Sequence, residues 1–283
     1  MRTVYVNGDY LPESEGRVSI FDRGFLFADG VYEVTTVLDG KLVDFDGHAA
    51  RLERSLRELD MPMPMTRDAL LEVHHRLVAE NDIDEGLVYL QVTRGAADRD
   101  FAYPAEETEQ TVVLFTQAKP GLAKAPEKGL SVDLQPDLRW GRRDIKTVQL
   151  LYPSMAKMAA KRAGHDDAWM HEPGGTITEG TSNNAYIVKG NTIVTRQLGN
   201  EILHGITRAA VLRLAREAQM KVEERAFTVE EAQSADEAFV TSASTFVMPV
   251  TSIGGKAVGD GQPGRIAGRL REIYLDEARA KAL

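Results

Sequence analysis

Apolar and polar residues alternate in short runs near the start of the chain, and this pattern predicts strands joined by tight turns. Asn7-Gly8 separates two extended runs in VYVNGDYL, and Asp39-Gly40 separates two more in VYEVTTVLDGKLVDF. Both dipeptides accept the positive φ angles of a two-residue turn. The pattern therefore predicts two β-hairpins in this part of the chain.

The period of the apolar positions then changes to that of a helix. Leu52, Leu56 and Leu59 would share one helical face in DGHAARLERSLRELD. A second helix is predicted in TRDALLEVHHRLVAEND, with Thr66 as its N-cap. The runs GLVYLQVTR and QTVVLFTQ are then predicted as strands.

The rest of the chain mixes short strands with helices and shows no regular βαβ alternation, which favours an α+β fold. The run AKPGLAKAPEKG is rich in Pro, Gly and Lys and predicts an exposed connector. We therefore expect a smaller N-terminal α/β domain, a connector, and a larger mixed, barrel-like domain that contains a helix starting near Gly205 and a C-terminal helix. Their predicted ranges are 1–117, 118–129 and 130–283.

Composition narrows the classes of function. The chain is 43% hydrophobic and 27% charged, as in ordinary globular proteins, and its formal net charge of −9 disfavours nucleic acid and anionic membranes as partners. It has no cysteine, which excludes disulfides and thiolate chemistry. We expect a cytoplasmic protein, without a signal peptide or membrane span and without a metal site; His74 and His75 are expected at the surface or partly packed.

A single lysine in an apolar context is the first candidate for chemistry. In DIKTVQLL, Lys146 precedes a largely apolar run. A buried lysine that gives up its proton is an amine nucleophile suited to carbonyl compounds. Taken alone, the segment favours a lysine whose stem packs while its head reaches water.

Three further segments hold groups that suit an anionic ligand. Glu179 lies in a Gly/Ser/Asn-rich turn before a strand, the helix after Gly205 presents free amides, and the hydroxyls of Ser242 and Ser244 follow a strand. Each segment by itself favours an ordinary turn, helix start or loop exit over a binding site.

Together and in this order, the segments resemble the fold type IV (class IV) pyridoxal-phosphate-dependent aminotransferases, and within them most closely the D-amino acid aminotransferases. The resemblance runs nearly end to end. It rests on FDRGFLFADGVYEVTTVLDG, HAARLERS, YLQVTRG, LRWGRRDIKTVQLL, TEGTSNNAYIV, LHGITR and TSASTFVMPV.

The resemblance implies pyridoxal 5′-phosphate as cofactor. Lys146 would hold it as an internal aldimine and carry the proton between the substrate α-carbon and the cofactor. Glu179 would pair with the pyridine nitrogen and keep it protonated, so that the ring accepts electrons.

The remaining cofactor contacts follow from the same resemblance. Arg51 would bind the phosphate together with the amides of Ile206 and Thr207 and the loop 242–244. Leu203 would pack on the ring face. The set implied for the cofactor also includes Asn183, Arg139, Ser242, Ala243 (through its backbone only) and Ser244.

Substrate contacts depart from the family pattern at two positions. Tyr32 and Tyr89 match the pocket, and Arg99 keeps the arginine of the carboxylate-binding loop, but Phe101 replaces its histidine and Thr36 stands where the family has a lysine. The resemblance implies a homodimer in which the Arg99 loop enters the partner's active site.

The leading hypothesis is an aminotransferase that moves an amino group from a D-amino acid to a 2-oxo acid. Phe101 and Thr36 make an (R)-selective amine transaminase an alternative, because a less polar site for the substrate carboxylate would admit amines that lack a carboxylate. A branched-chain L-amino acid aminotransferase, a pyridoxal-phosphate lyase of the aminodeoxychorismate type, and a non-catalytic cofactor-binding protein are further alternatives.

Overall fold

The computed structural model describes residues 1–283, which cluster into two compact units. The first comprises Met1–Ala123, Ile145–Gln149 and Ala278–Leu283, and the second comprises Lys124–Asp144 and Leu150–Glu277. The chain thus leaves the first unit inside the predicted connector, 118–129.

The first unit is built on a six-stranded antiparallel sheet of order β2-β1-β6-β5-β3-β4. Its elements are β1 (Thr3–Val6), β2 (Asp9–Pro12), α1 (Arg23–Phe27), β3 (Gly30–Leu38), β4 (Lys41–Val43), α2 (Phe45–Arg57), α3 (Arg67–Glu80), β5 (Gly86–Thr93) and β6 (Thr111–Ala118).

Both predicted hairpins are present in this sheet. Val6 pairs with Asp9 across Asn7-Gly8, and Leu38 pairs with Lys41 across Asp39-Gly40. All four turn residues have positive φ, as a type I′ turn requires. The local chemistry of these dipeptides is therefore sufficient to place the turns.

The helices of this unit bury apolar faces. Leu52 and Leu56 of α2 are buried with residues of α3 and the sheet in one core, whereas Leu59 lies beyond the helix end and is only partly buried. Thr66 caps α3 as predicted, accepting a hydrogen bond from the Ala69 amide at 3.2 Å. His74, expected at or near the surface, is instead buried, because its helical position faces the core beside Phe45.

The second unit contains a nine-stranded mixed sheet of order β12-β11-β10-β13-β14-β7-β8-β9, with β15 paired to β14. Its elements are β7 (Leu130–Pro136), α4 (Leu151–Arg162), β8 (Asp167–His171), β9 (Ile177–Gly180), β10 (Asn184–Lys189), β11 (Thr192–Thr195), α5 (Ile206–Glu217), β12 (Lys221–Glu224), α6 (Val229–Gln233), β13 (Glu237–Ser242), β14 (Phe246–Ile253) and β15 (Lys256–Ala257), followed by α7 (Arg265–Lys281), whose last residues belong to the first unit.

The mixed sheet and its helices confirm the predicted α+β class. Parallel pairs join β11 to β12, β14 to β7 and β7 to β8, and the other pairs are antiparallel. In the core of this unit, Trp169 packs edge to face against Phe227. Local patterns do not predict the strands β9, β12, β14 and β15, because three of them are very short and β14 contains Pro249, a residue that such patterns assign to loops.

The division of the chain differs from the sequence expectation at two segments, residues 145–149 and 278–283. Residues 145–149 were counted with the large domain, but they cluster with the first unit. The backbone explains this placement: the Tyr32 amide donates to the Lys146 carbonyl at 3.0 Å and the Val148 amide donates to the Gly30 carbonyl at 3.1 Å.

The fold offers neither a membrane-spanning helix nor a cluster of metal ligands. None of its helices combines the length and apolar character needed to cross a bilayer. No group of three or more His, Asp or Glu side chains is arranged to hold a metal ion.

Candidate active site

Lys146 lies on a short segment that extends the sheet of the first unit. The strand β4 pairs only with Thr36–Leu38, so the start of β3 has a free edge. Residues 146–148 occupy that edge, with an antiparallel bridge between Val31 and Thr147. Ile145 anchors the segment in the core. The backbone of Lys146 is thus fixed although the segment is neither a helix nor a full strand.

An aromatic stack faces the Lys146 amine. Its Nζ lies 4.0 Å from the centroid of the Tyr32 ring. Tyr32 stacks on Tyr89 at 5.6 Å, and Tyr89 stacks on Phe115 at 4.8 Å. Burial raises the pKa of Tyr89, so its hydroxyl stays protonated and donates to Gln91 Oε1 at 2.8 Å. The structure therefore places the two tyrosines named from the sequence beside the half-buried lysine.

Arg51 is held by a buried carboxylate that sequence analysis missed. Its Nε and Nη2 donate to the two oxygens of Glu33 at 2.8 and 2.7 Å, and His48 Nδ1 lies 2.8 Å from the same carboxylate. Burial alone would raise the pKa of Glu33, but Arg51 and His48 outweigh it and bring the pKa to about 2. The bidentate pair fixes the direction of the Arg51 guanidinium. Thr36, on the same strand β3, is buried.

Arg99 and Phe101 lie on an exposed loop with a buried anchor. Phe101 is 80% exposed, and its ring meets Phe27 edge to face at 5.6 Å. Arg23 donates to the carbonyls of Asp100 and Ala102 at 2.7 and 3.2 Å and is itself paired with Asp29. The loop is therefore tied down at its backbone while its side chains face outward.

In the second unit, Glu179 is a buried carboxylate with three fixed donors. It lies on β9, not in a turn before a strand as the sequence predicts, because residues 177–180 pair with β8. Arg139 Nη1 donates to Oε1 at 2.6 Å, Asn184 Nδ2 donates to Oε2 at 2.8 Å, and the Leu203 amide lies 3.1 Å from Oε2. Burial raises the pKa of Glu179, and Arg139 and the Leu203 amide oppose that effect only in part.

Arg139 is shared between two carboxylates. Its Nε and Nη2 donate to Asp137 at 3.0 and 2.7 Å, in addition to its bond with Glu179. Asp137 also accepts a hydrogen bond from Thr178 Oγ1 at 2.6 Å. Burial raises the pKa of Asp137, but these donors outweigh it and leave the pKa lowered. The guanidinium thus joins the end of β7 to β9.

The helix α5 begins with amides that no side chain caps. Gly205 is its N-cap, Ile206 and Thr207 open its first turn, and Thr207 is buried. A Cβ on Gly205 would lie 2.1 Å from Asn184 Oδ1, so any other residue there would have to displace the Asn184 side chain. Uncapped amides at a helix start attract anions.

A hydroxyl cluster follows β13, a strand against which α5 packs. Ser242 Oγ lies 3.3 Å from Ser244 Oγ and 2.8 Å from Thr245 Oγ1. Across the β10/β13 pair, Thr241 stands opposite Asn184. The structure therefore brings the Glu179 contacts, the start of α5 and the exit of β13 into one region of the second unit.

Neighbouring asparagines have different partners. Asn183, the residue named from the sequence, donates to Asp167 at 2.9 Å, whereas Asn184 donates to Glu179 and to the Leu203 carbonyl. Asn184 was not predicted, because the two residues are adjacent and only strand β10 decides which of them faces Glu179.

These donors and acceptors fit pyridoxal phosphate, the cofactor that the resemblance implies. Glu179 is an acceptor suited to a protonated ring nitrogen, and the start of α5 offers amides to a phosphate. Gly205 lies close to Asn184 and has no Cβ, so no side chain of residue 205 covers the backbone at the start of α5.

Comparison with known proteins agrees with this chemistry. A sequence model of the amino-transferase class IV family matches residues 30–253. The chain is 38% identical over 274 residues to a protein named D-alanine aminotransferase from Staphylococcus epidermidis, covering 97% of both chains. It is 42% identical over 262 residues to another of that name from Bacillus licheniformis, covering 92% of both.

A solved structure shows the same fold. The branched-chain aminotransferase of the thermophilic archaeon Thermoproteus uzoniensis, determined with norvaline, superposes with a TM-score of 0.87 at 23% identity, over 99% of this chain and 95% of that one. At this identity the likeness concerns the fold, which is that of the fold type IV enzymes. From the family match and the identity to the D-alanine aminotransferases, it follows that the chain belongs to the class IV aminotransferases.

Proposed function

We propose that the protein is a pyridoxal-phosphate-dependent aminotransferase that moves the amino group of a D-amino acid to a 2-oxo acid. Likeness over nearly the whole chain to proteins named D-alanine aminotransferase supports the substrate class. The observation that carries the chemistry is Glu179, a buried carboxylate with its oxygens fixed by three donors.

Lys146 and Glu179 carry the reaction in this proposal. When bound, the cofactor supplies an electron-accepting ring that stabilises negative charge at the substrate α-carbon. Lys146 would hold the cofactor through its amine and, once released, remove the proton at that carbon. Glu179 would keep the ring nitrogen protonated. The rigid backbone of Lys146 and the stack of Tyr32 and Tyr89 support a fixed direction for the amine.

The phosphate is the second part of the proposal. Arg51 would bind it as a guanidinium, and Ile206 and Thr207 would bind it through their amides. The hydroxyl loop would complete the set through Ser242, Ser244 and the backbone of Ala243. The proposed cofactor residues further include Leu203 at the ring face, Arg139 and Asn183, to which we add Asn184.

Substrate recognition is proposed to use Tyr32, Tyr89 and Thr36 together with the Arg99 loop of a second copy. A guanidinium binds a carboxylate in two parallel hydrogen bonds without a helper, so Arg99 alone can select amino acids. The exposed Phe101 beside it favours a second candidate, an (R)-selective amine transaminase, because an apolar ring accepts substrates that lack a carboxylate.

The first experiment is the visible absorption spectrum of the purified protein before and after addition of D-alanine. Parallel samples receive L-leucine or an (R)-arylalkylamine. We expect a yellow protein that bleaches with D-alanine as the cofactor is converted to its amine form. Bleaching with L-leucine alone would contradict the D-amino acid assignment, and bleaching with the amine alone would establish the second candidate. A protein that takes up no pyridoxal phosphate would overturn the cofactor assignment.

We also propose that the protein is a homodimer. Each unit exposes apolar side chains that a partner would cover: Ile20, Phe25 and Phe101 in the first unit, and Leu138, Leu151 and Met155 in the second. Exposed apolar groups in such numbers are typical of protein interfaces. The cytoplasmic location expected from the sequence stays a prediction, which cell fractionation tests.

A further inference from the structure

Arg139 occupies an unusual position for a buried arginine, because it serves two carboxylates from a single guanidinium. Its Nε and Nη2 donate to the two oxygens of Asp137, a paired contact that we call the Asp137–Arg139 fork. The remaining Nη1 donates to Glu179 at 2.6 Å. Its side chain is 12% exposed, and those of Asp137 and Glu179 are nearly inaccessible. In such surroundings water screens the charges weakly, so each contact has a large electrostatic effect.

The direction of the guanidinium is set by Asp137 and not by Glu179. Asp137 accepts from Thr178 Oγ1 at 2.6 Å and from the Arg139 amide at 3.2 Å, and its own amide donates to the His171 carbonyl at 2.8 Å. The carboxylate is therefore rigid. A two-bond fork on a rigid partner leaves Arg139 little freedom to turn away from Glu179.

Glu179 needs such a neighbour if it is to remain an anion. Burial raises its pKa, and Arg139 is the largest opposing influence, ahead of the Leu203 amide. Without the guanidinium, the carboxyl group would hold its proton more firmly. A protonated Glu179 would not draw a proton onto a ring nitrogen beside it.

We infer that Arg139 is a positioning residue that acts through Glu179, and that the Asp137–Arg139 fork sets how strongly Glu179 protonates the cofactor's ring nitrogen. This inference rests on the proposed function, since it assigns the ring nitrogen to Glu179. It makes the part of Arg139 in the proposed cofactor set an indirect one, exerted through its hydrogen bond to Glu179. Asp137 and Thr178 contribute to the same effect, because Asp137 orients the Arg139 guanidinium and Thr178 donates a hydrogen bond to Asp137.

Arg143 provides a matched control on the same loop. Its side chain is 11% exposed, close to the value for Arg139, and its Nε lies 3.5 Å from Asp137 Oδ1. It also donates to the carbonyls of Asp137 and Arg139 at 3.5 and 3.4 Å. It makes no bond to Glu179, so a substitution there removes a buried guanidinium near Asp137 without removing any contact of the Glu179 carboxylate.

The test reconstitutes the wild-type protein and the variants Arg139→Gln, Arg139→Lys and Arg143→Gln with pyridoxal phosphate labelled with ¹⁵N at the ring nitrogen. The ¹⁵N chemical shift reports the protonation of that nitrogen directly. The dissociation constant of the cofactor, from equilibrium titration, is the second readout. Neither readout depends on turnover.

We expect the wild-type protein and Arg143→Gln to share the shift of a protonated nitrogen. In Arg139→Gln the shift moves toward that of the neutral ring, and cofactor binding weakens about tenfold or more, since a charge-assisted hydrogen bond network is lost. Arg139→Lys is expected between the two, because it keeps the charge but loses the fork on Asp137.

An unchanged ¹⁵N shift in Arg139→Gln, with the wild-type protein loaded, overturns the inference and leaves the proposed function intact. If Arg139→Gln does not fold, Arg139→Lys decides: a wild-type shift in that variant also overturns the inference. A wild-type protein that binds no cofactor overturns the proposed function, and the inference with it.

Discussion

At the residue scale, the first unit stabilises buried ionisable groups in two different ways. Glu33 is charged, with its pKa at about 2, because Arg51 and His48 outweigh the effect of burial. His74 has no opposite charge in hydrogen-bonding contact and is kept neutral: burial lowers its pKa to about 4, although its Nδ1 is bonded to the Leu70 carbonyl at 2.8 Å. A buried group in this core stays charged where oppositely charged side chains bond to it, as at Glu33, and is neutral where none does, as at His74.

The neutral His74 predicts a loss of stability in acid. Its folded pKa of about 4 lies below the ordinary value of 6.5, so the unfolded chain binds the proton first. Stability is therefore full above pH 6.5 and falls as the pH drops toward 4. Between pH 7.5 and 4.5 we expect wild type to lose about 2 to 3 kcal/mol more than His74→Leu, measured as the free energy of unfolding in urea.

The neighbouring His75 supplies the control for this experiment. It is exposed on the same helix, so His75→Leu should follow the wild-type pH profile. Equal acid sensitivity of His74→Leu and wild type would show that other groups dominate the profile.

At the element scale, the start of α5 is shaped by the residue that precedes it. Gly205 has φ of −65°, which any residue accepts, so its constraint is space and not conformation. A Cβ there would meet Asn184 Oδ1 at 2.1 Å. Since the side-chain amide of Asn184 donates to Glu179 and to the Leu203 carbonyl, the helix start and the carboxylate are mechanically linked.

Gly205→Ala is therefore expected to displace Asn184 and break its bond to Glu179. We expect a loss of about 1 to 3 kcal/mol in unfolding free energy, from the strained contact and the unpaired buried groups, and weaker binding of pyridoxal phosphate. Thermal unfolding and cofactor titration measure the two effects.

Gly268→Ala is the matched control, in the interior of α7. A Cβ there meets nothing within 4 Å, so the change should stabilise the protein by about 0.5 to 1 kcal/mol through helix propensity. If Gly205→Ala behaves like Gly268→Ala, the link between α5 and Glu179 is not a mechanical one.

At the scale of the whole molecule, the outer surface of α4 is apolar where a monomer would be polar. Its inner residues Ala156 and Ala160 pack against β8, while Leu151 and Met155, one turn apart on the other side, are 75% and 58% exposed. An exposed apolar face of this kind is typical of a surface that another surface covers. This is the surface through which the proposed homodimer can be tested.

We expect wild type to sediment as a dimer at micromolar concentration and the double variant Leu151→Glu, Met155→Glu to dissociate, because each carboxylate would have to be desolvated in the interface. Analytical ultracentrifugation measures the change. Ala280→Glu adds the same type of charge at an exposed position of α7 and should leave the dimer unchanged. A wild-type protein that remains monomeric at all concentrations would refute the dimer.

Local features of the fold were predictable from the sequence by itself. The turn at Asn7-Gly8, the Thr66 cap and the helix that follows Gly205 are encoded within a few residues, by positive φ, capping chemistry and apolar period. The identity of Lys146 and Glu179 as candidates also came from the sequence, through short motifs in a fixed order and the family resemblance that they carry.

Only the tertiary structure decided which of these groups meet. The burial of Glu179 on β9, its bonds with Arg139 and Asn184, and the pairing of the Lys146 segment with β3 all depend on the folded sheets, and most join residues far apart along the chain. Local patterns do not contain such pairings, since they depend on how sheets close and which strand edge stays free. The sequence by itself therefore determined the chemical groups and their local conformation, and folding determined their burial, charge and partners.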